Sequence, residues 1–175
     1  MTRYVAFLRA INVGGHTVKM DHLRGLFESL GLAAVESFIA SGNVIFETKE
    51  RDAAKLEKRI AAHLEADLGY RVDTFVRTIQ ETVAIEKRCP FRPKKKDDLV
   101  YVAFLHEPLG AAGRSALAAV KNKLNDFAAI DREIYWQRLN RDDSIFLKKP
   151  LEKTIGVSTT VRNMNTIGKV VEKHG

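Results

Sequence analysis

The sequence predicts an α+β fold made of two related halves, and three observations carry that reading. Short apolar runs with strand spacing alternate with segments of helical period. The pentapeptide YVAFL occurs twice, at Tyr4–Leu8 and at Tyr101–Leu105. The segments after the two copies repeat as well: a helix, a strand pair, then another helix.

The first strand is read in RYVAFLRAIN. Val5, Phe7 and Ile11 alternate with Tyr4, Ala6, Leu8 and Ala10, so both faces are apolar and both are expected to be buried. In MDHLRGLFESLG, Asp21 stands where an N-cap belongs. Leu23, Leu26, Phe27 and Leu30 come after it at helical spacing, and Gly31 closes the helix. AVESFIASGNVIFET reads as two short strands joined by a tight turn at Ser41, Gly42 and Asn43. A helix then runs from about Asp52 through Leu56, Ile60 and Leu64 to Leu68, with Gly69 after it, and YRVDTFVRT supplies a fourth strand. The order β-α-β-β-α-β is the ferredoxin-like arrangement.

IQETVAIEKRC predicts a connecting helix, and PFRPKKKDD a proline- and charge-rich break. After the second YVAFL come a helix over about 111–124, a strand pair in REIYWQRL and SIFLKK, and a last helix starting near Thr159. The second half is therefore expected as a βαββα variant, one strand short. The expected organisation is a ferredoxin-like subdomain over 1–78, a connecting helix and linker over 79–97, and a second α+β subdomain over 98–175. Packing of one open sheet face against the other would explain why neither YVAFL strand has a polar face.

Composition bounds the function. A hydrophobic fraction of 45% belongs to a packed globular chain. The single cysteine, Cys89, cannot close an internal disulfide and suits a reducing compartment. The first apolar run stops at Arg9, too short for a signal segment or a membrane span. A cytoplasmic location without membrane attachment is expected. The net charge of +7 admits an anionic partner. Acidic residues are interspersed, however, and the dense run Arg92 to Lys96 gives way at once to Asp97 and Asp98. The global charge is read as surface solubility.

The predicted topology brings the loop leaving the first strand and the turn between the second and third strands to one edge of the sheet. INVGGHT and SGN are thus expected as neighbours. Gly14 and Gly15 can take positive φ and turn backbone amides into one space, a nest suited to phosphate or carboxylate. Arg9, Asn12, Lys19, Ser41, Gly42 and Asn43 are expected around it. His16, the one nearby group titrating close to neutrality, is the candidate for catalysis. Arg9, a charge in an apolar strand, needs a partner, either a ligand or an acid such as Glu36 or Glu47. Neither the P-loop spacing nor G-x-G-x-x-G is present.

The last helix is the second candidate. Ser158, Thr159 and Thr160 are good cap residues, and Met164, Ile167 and Val171 share the side expected to be buried. Arg162, Asn165, Thr166 and Lys169 recur on the opposite side, with Asn163 on its flank. A solvated face is the simpler reading, but Asn and Thr are poor helix formers for such positions. Other groupings are weaker. His16 and His22 lack a nearby cysteine, so no zinc site is predicted. Cys89 has no base beside it, and turn chemistry accounts for Asp131, Glu133, Asp142 and Asp143. No metal site or cofactor is identified, and whether the chain is an enzyme stays open.

In YVAFLRAINVGGH, SFIASGNVIFET and TTVRNMNTIGKVVE the sequence resembles the bacterial family of domain of unknown function 1697, in the same order over nearly the whole chain. The resemblance implies two α+β subdomains, the first ferredoxin-like, and implies no activity, cofactor or catalytic residue. The family often has an aromatic, commonly Trp, where this chain has Met164. The expected function is binding of a small anionic molecule at the glycine-rich loop. One alternative is a nucleic-acid-binding module, since ferredoxin-like sheets bind RNA through strand aromatics; here NVIFET offers one, Phe46, and no RNP-like motif. The other is a protein–protein adaptor, which predicts a large exposed apolar patch.

Overall fold

β1 (Thr2–Leu8) is apolar on both faces because it is an inner strand of an antiparallel sheet. β3 (Asn43–Thr48) pairs with it on one side and β4 (Thr74–Thr78) on the other. β2 (Ala33–Ser37) lies outside β3, giving the order β2-β3-β1-β4. This computed structural model describes residues 1–12, 15–39, 42–139 and 149–175. The described residues form two four-stranded antiparallel sheets and six helices. The chain divides into two units, Met1–Val83 with Val170–Gly175, and Ala84–Lys169.

In the first unit α1 (Met20–Ser29) comes after β1, and α2 (Ala53–Leu68) after β3. α2 is stopped at both ends by its own sequence. The Asp52 carboxylate accepts the Lys55 amide at 3.0 Å, and Gly69, at φ +79°, returns its amide to Glu65 O at 2.9 Å. α1 begins two residues earlier than expected. Lys19 stands at the cap without a side-chain cap bond, while Asp21 sits in the first turn and pairs with Arg24. Tyr4, Ala6 and Leu8 pack beneath Leu23 and Phe27 of α1 and Leu56, Ile60 and Leu64 of α2. Val5 and Phe7, on the alternate face, are also fully buried. Arg77 of β4 is buried with Glu57 of α2, whose carboxylate also accepts the Val76 amide at 2.8 Å.

The second unit contains β5 (Leu99–Phe104), α4 (Ala111–Ala119), β6 (Asn125–Ile130), β7 (Glu133–Arg138), α5 (Leu151–Ile155) and β8 (Thr160–Asn163), with strand order β6-β7-β5-β8. α3 (Ile79–Lys87) precedes it, and α6 (Met164–His174) comes after β8. Ala103 and Leu105 share a core with Leu117, Trp136, Leu151 and Ile155. Both YVAFL copies therefore turn their Tyr-Ala-Leu face toward helices.

This unit departs from expectation in three places. REIYWQRL pairs with Asn125–Ile130 on one side and with β5 on the other, and the strand expected at SIFLKK falls, but for Lys149, outside the described residues. The helix expected over 111–124 ends at Ala119, because Asn122 Oδ1 accepts the Leu124 and Asn125 amides and turns the chain into β6. Finally, Thr160–Asn163 is a strand paired with β5, so the unit is not a βαββα variant; its described elements run β-α-β-β-α-β. Thr159 and Thr160 suit a cap by their hydroxyls and a strand by their branching. A vacant edge on β5 settled the choice.

Candidate functional site

The ladder of β1 ends in two backbone bonds that point in opposite directions across the sheet. Leu8 donates to Gly42 O at 2.8 Å, and Arg9 donates to Asp73 O at 2.9 Å. The first bond ties the β1 exit to the β2–β3 turn, and the second ties it to the segment entering β4. Past that point φ alternates in sign. Ala10 is at +65° and Asn12 at +57°, while Arg9 and Ile11 lie on the negative side. Gly15 comes next at +84° with open space around it. Ile39, a branched residue at +47°, and Gly42, at +95°, bring the same left-handed geometry to the facing turn.

The predicted residues take different roles. Arg9 lies just beyond β1, because the strand stops at Leu8, and it is half-buried. The acids considered as its partners are engaged elsewhere: Glu47 binds Arg3 at 2.6 Å, and Glu36 binds Lys173, which holds the Glu36 carboxyl below its ordinary range. Asn12 braces the loop, its Oδ1 accepting the Val18 amide at 2.6 Å. Asn43 is buried and donates to Phe38 O and Ile39 O, locking the turn. His16 is exposed and stacks on Tyr70 at 3.8 Å between centroids. Lys19 is exposed at the start of α1. Gly14 and Ser41 lie outside the described residues. The two carboxylates flanking the loop are matched, Asp21 by Arg24 and Asp73 by Arg71 at 2.8 Å.

The second predicted group is not a stripe on one helix. Arg162 and Asn163 belong to β8, whereas Asn165 and Thr166 open α6. Arg162 Nη1 donates to Thr160 Oγ1 and Val161 O, and burial pulls its guanidinium down to about 10. Asn163 is the cap, its Oδ1 accepting the Asn165 amide at 2.8 Å. Asn163 and Asn165 line a cavity together with Cys89, Phe91 and Val100. Sequence reasoning took Cys89 as the end of a connecting helix and Pro90 to Asp98 as a charged break, and missed this wall. Phe91 and Pro93, apolar residues inside a charged break, were the available signal.

The acids considered for a metal are otherwise employed. Asp131 and Glu133 both bind Arg88, whose Nε also donates to Tyr135 Oη, while Asp142 and Asp143 lie outside the described residues. Among the described residues no helix is long and apolar enough to cross a membrane.

The family model described as a protein of unknown function (DUF1697) matches residues 1–135. No curated protein matches the sequence. The conserved bacterial protein SP0830 from Streptococcus pneumoniae has a solved structure similar to this one. The likeness has a TM-score of 0.77 at 24% identity, covers 98% of this chain and 97% of that one, and shows the fold. With the family model spanning most of its length, the chain belongs to the DUF1697 family of proteins of unknown function.

Proposed function

We propose that the chain binds a small anionic molecule, a phosphate or carboxylate, at the loop leaving β1. The observation that carries this reading is the alternation of φ from Arg9 to Asn12 at the end of a strand whose ladder has just finished. Successive residues of opposite φ turn their amides to one side, and such concavities bind anions. Arg9 and Lys19 supply positive charge beside it. The nest is centred on Ala10 and Asn12, a few residues before the glycine pair. Gly15, Gly42 and Asn43 complete its surroundings, with Gly14 and Ser41 as proposed members. His16 is the group placed for proton transfer if a reaction occurs.

The same reading takes each unit as ferredoxin-like, a view supported by the matching strand orders and all-antiparallel pairing. It keeps the subdomain limits at 1–78 and 98–175 around a linker, and a cytoplasmic setting. An RNA-binding sheet is disfavoured, because Phe7, Phe46 and Phe75 are fully buried and offer no face for a base.

Titration of the isotope-labelled chain with inorganic phosphate tests the proposal. Amide shifts are expected at Ala10 to Asn12, Gly15 and Lys19. Arg9→Ala, with its fold retained, is expected to weaken binding at least tenfold, the size of a lost charge-assisted hydrogen bond. Equal affinity in wild type and variant would remove this reading.

A further inference from the structure

The second unit holds a cavity of about 430 Å³, within the range of small-molecule sites. It lies between the end of α3, the segment after it, the start of β5 and the β8–α6 junction. Its body is apolar: Phe91, Val100 and Met164 line it, beside the buried thiol of Cys89. An aromatic ring and a polarizable thioether favour a flat ligand.

Its charges cancel. Glu86 and Asp98 are matched in number by Lys87 and Arg92. Two of the four brace the wall instead of facing inward as free charge. Arg92 Nη1 donates to Cys89 O at 2.6 Å and Phe91 O at 2.9 Å, and Asp98 Oδ2 accepts the Lys94 and Lys95 amides. Glu86 Oε1 rests against Gly168, where an added Cβ would come within 3.2 Å of it. Nothing in this balance selects an anion.

The remaining polar groups are a pair of carboxamides. Asn163 Oδ1 accepts the Asn165 amide, so the NH₂ is what its side chain can still offer a ligand; the Asn165 side chain carries both a donor and an acceptor, and both residues line the cavity. A donor and acceptor set side by side complement an edge carrying N–H next to C=O. We propose that this cavity is a second binding site, specific for a neutral, flat heterocycle with an amide-type edge, of the size and kind of a free pyrimidine base. It is independent of the anion site on the first unit.

The test titrates the isotope-labelled full chain with uracil, benzoate and toluene, three ring probes that differ in edge and charge. Uracil is expected to shift the amides of Phe91, Val100, Met164 and Asn165, and to bind at least tenfold more tightly than the other two. Asn165→Leu, at an exposed helical position, should cost uracil about tenfold in affinity, the worth of one lost hydrogen bond, and leave toluene unchanged. Preferential binding of benzoate, equal binding of toluene, shifts confined to the β1 exit loop, or no binding at all would each overturn the proposal.

Discussion

Leu8 and Leu105 end identical YVAFL segments, and each donates its amide across the end of its sheet, to Gly42 O and to Arg132 O, both at 2.8 Å. From there the two units part. In the first, left-handed residues at Ala10, Asn12 and Gly15 and exposed His16 and Lys19 stand between β1 and α1. The second reaches α4 within residues 105–110, through Pro108 and the buried Leu109. Leu109 turns onto Gly113 of α4, where an added Cβ would approach its Cδ1 to 2.5 Å; around Gly15 a Cβ would meet nothing within 4 Å. The same strand thus produces the same hydrogen bond twice. Beyond it the second exit closes onto α4 through Leu109, whereas the first is marked by its left-handed residues.

Each unit also anchors a buried glutamate with an arginine, and the largest expected effects lie there. Arg77 and Glu57 are 1% and 5% exposed in the first unit; Arg88 and Glu133 are 30% and 2% exposed in the second. Arg77→Ala strands a carboxylate in the core and is expected to cost about 3–5 kcal/mol. Arg88→Ala, at a wetter site, should cost about 1–3 kcal/mol. Denaturant midpoints of the two variants check the ranking, and equal losses would erase this distinction between the units.

The glycines give a sharper contrast of smaller size. Gly113→Ala must displace Leu109 and is expected to lose about 1–3 kcal/mol through overpacking. Gly15→Ala has room for its methyl and should lose only the cost of its positive φ, about 1–2 kcal/mol. Combining Gly113→Ala with Leu109→Ala should recover part of the first loss by removing the clashing atoms, whereas Gly15→Ala has no such partner. Thermal unfolding of the set decides it.

The smallest effect emerges only in alkali. Tyr4 in the first unit donates to Glu50 O at 2.9 Å and Tyr135 in the second to Ile85 O at 2.7 Å; burial raises both phenols, Tyr135 to about 12. A phenol raised in the folded state contributes stability that is complete below its unfolded value of 10.0 and is lost as pH climbs toward the folded one. Tyr135→Phe should therefore flatten the fall in stability between about pH 10 and 12, as measured by denaturation across that window. An unchanged slope would show that Tyr135 ionises without resistance.

Local chemistry made much of this legible. Asp52 and Gly69 bound α2, Gly31 closes α1 with φ +79° and its amide on Glu28 O, and the doubly apolar β1 is buried on both faces. β6 was missed because Asn125, Asp126, Ala128 and Ala129 have little strand preference of their own, and pairing with β7 overrode it. Asn12 and Asn43 were named as ligand groups, yet their side chains are held by Val18 N and by Phe38 O and Ile39 O. A carboxamide reads the same in sequence whether it binds a ligand or its own loop.

By itself the sequence determined both ends of α2, the close of α1, the burial of the first strand on both faces, and that one pentapeptide opens both units, since caps, periodicity and apolar runs act between near neighbours. Only the tertiary structure decided that Thr160–Asn163 is a strand, that the left-handed residues gather at one sheet end, and that Phe91 meets Asn163 and Asn165 around a cavity. Those outcomes depend on which distant segment offers an unpaired edge or an unfilled space, and such complementarity exists only after the chain has folded.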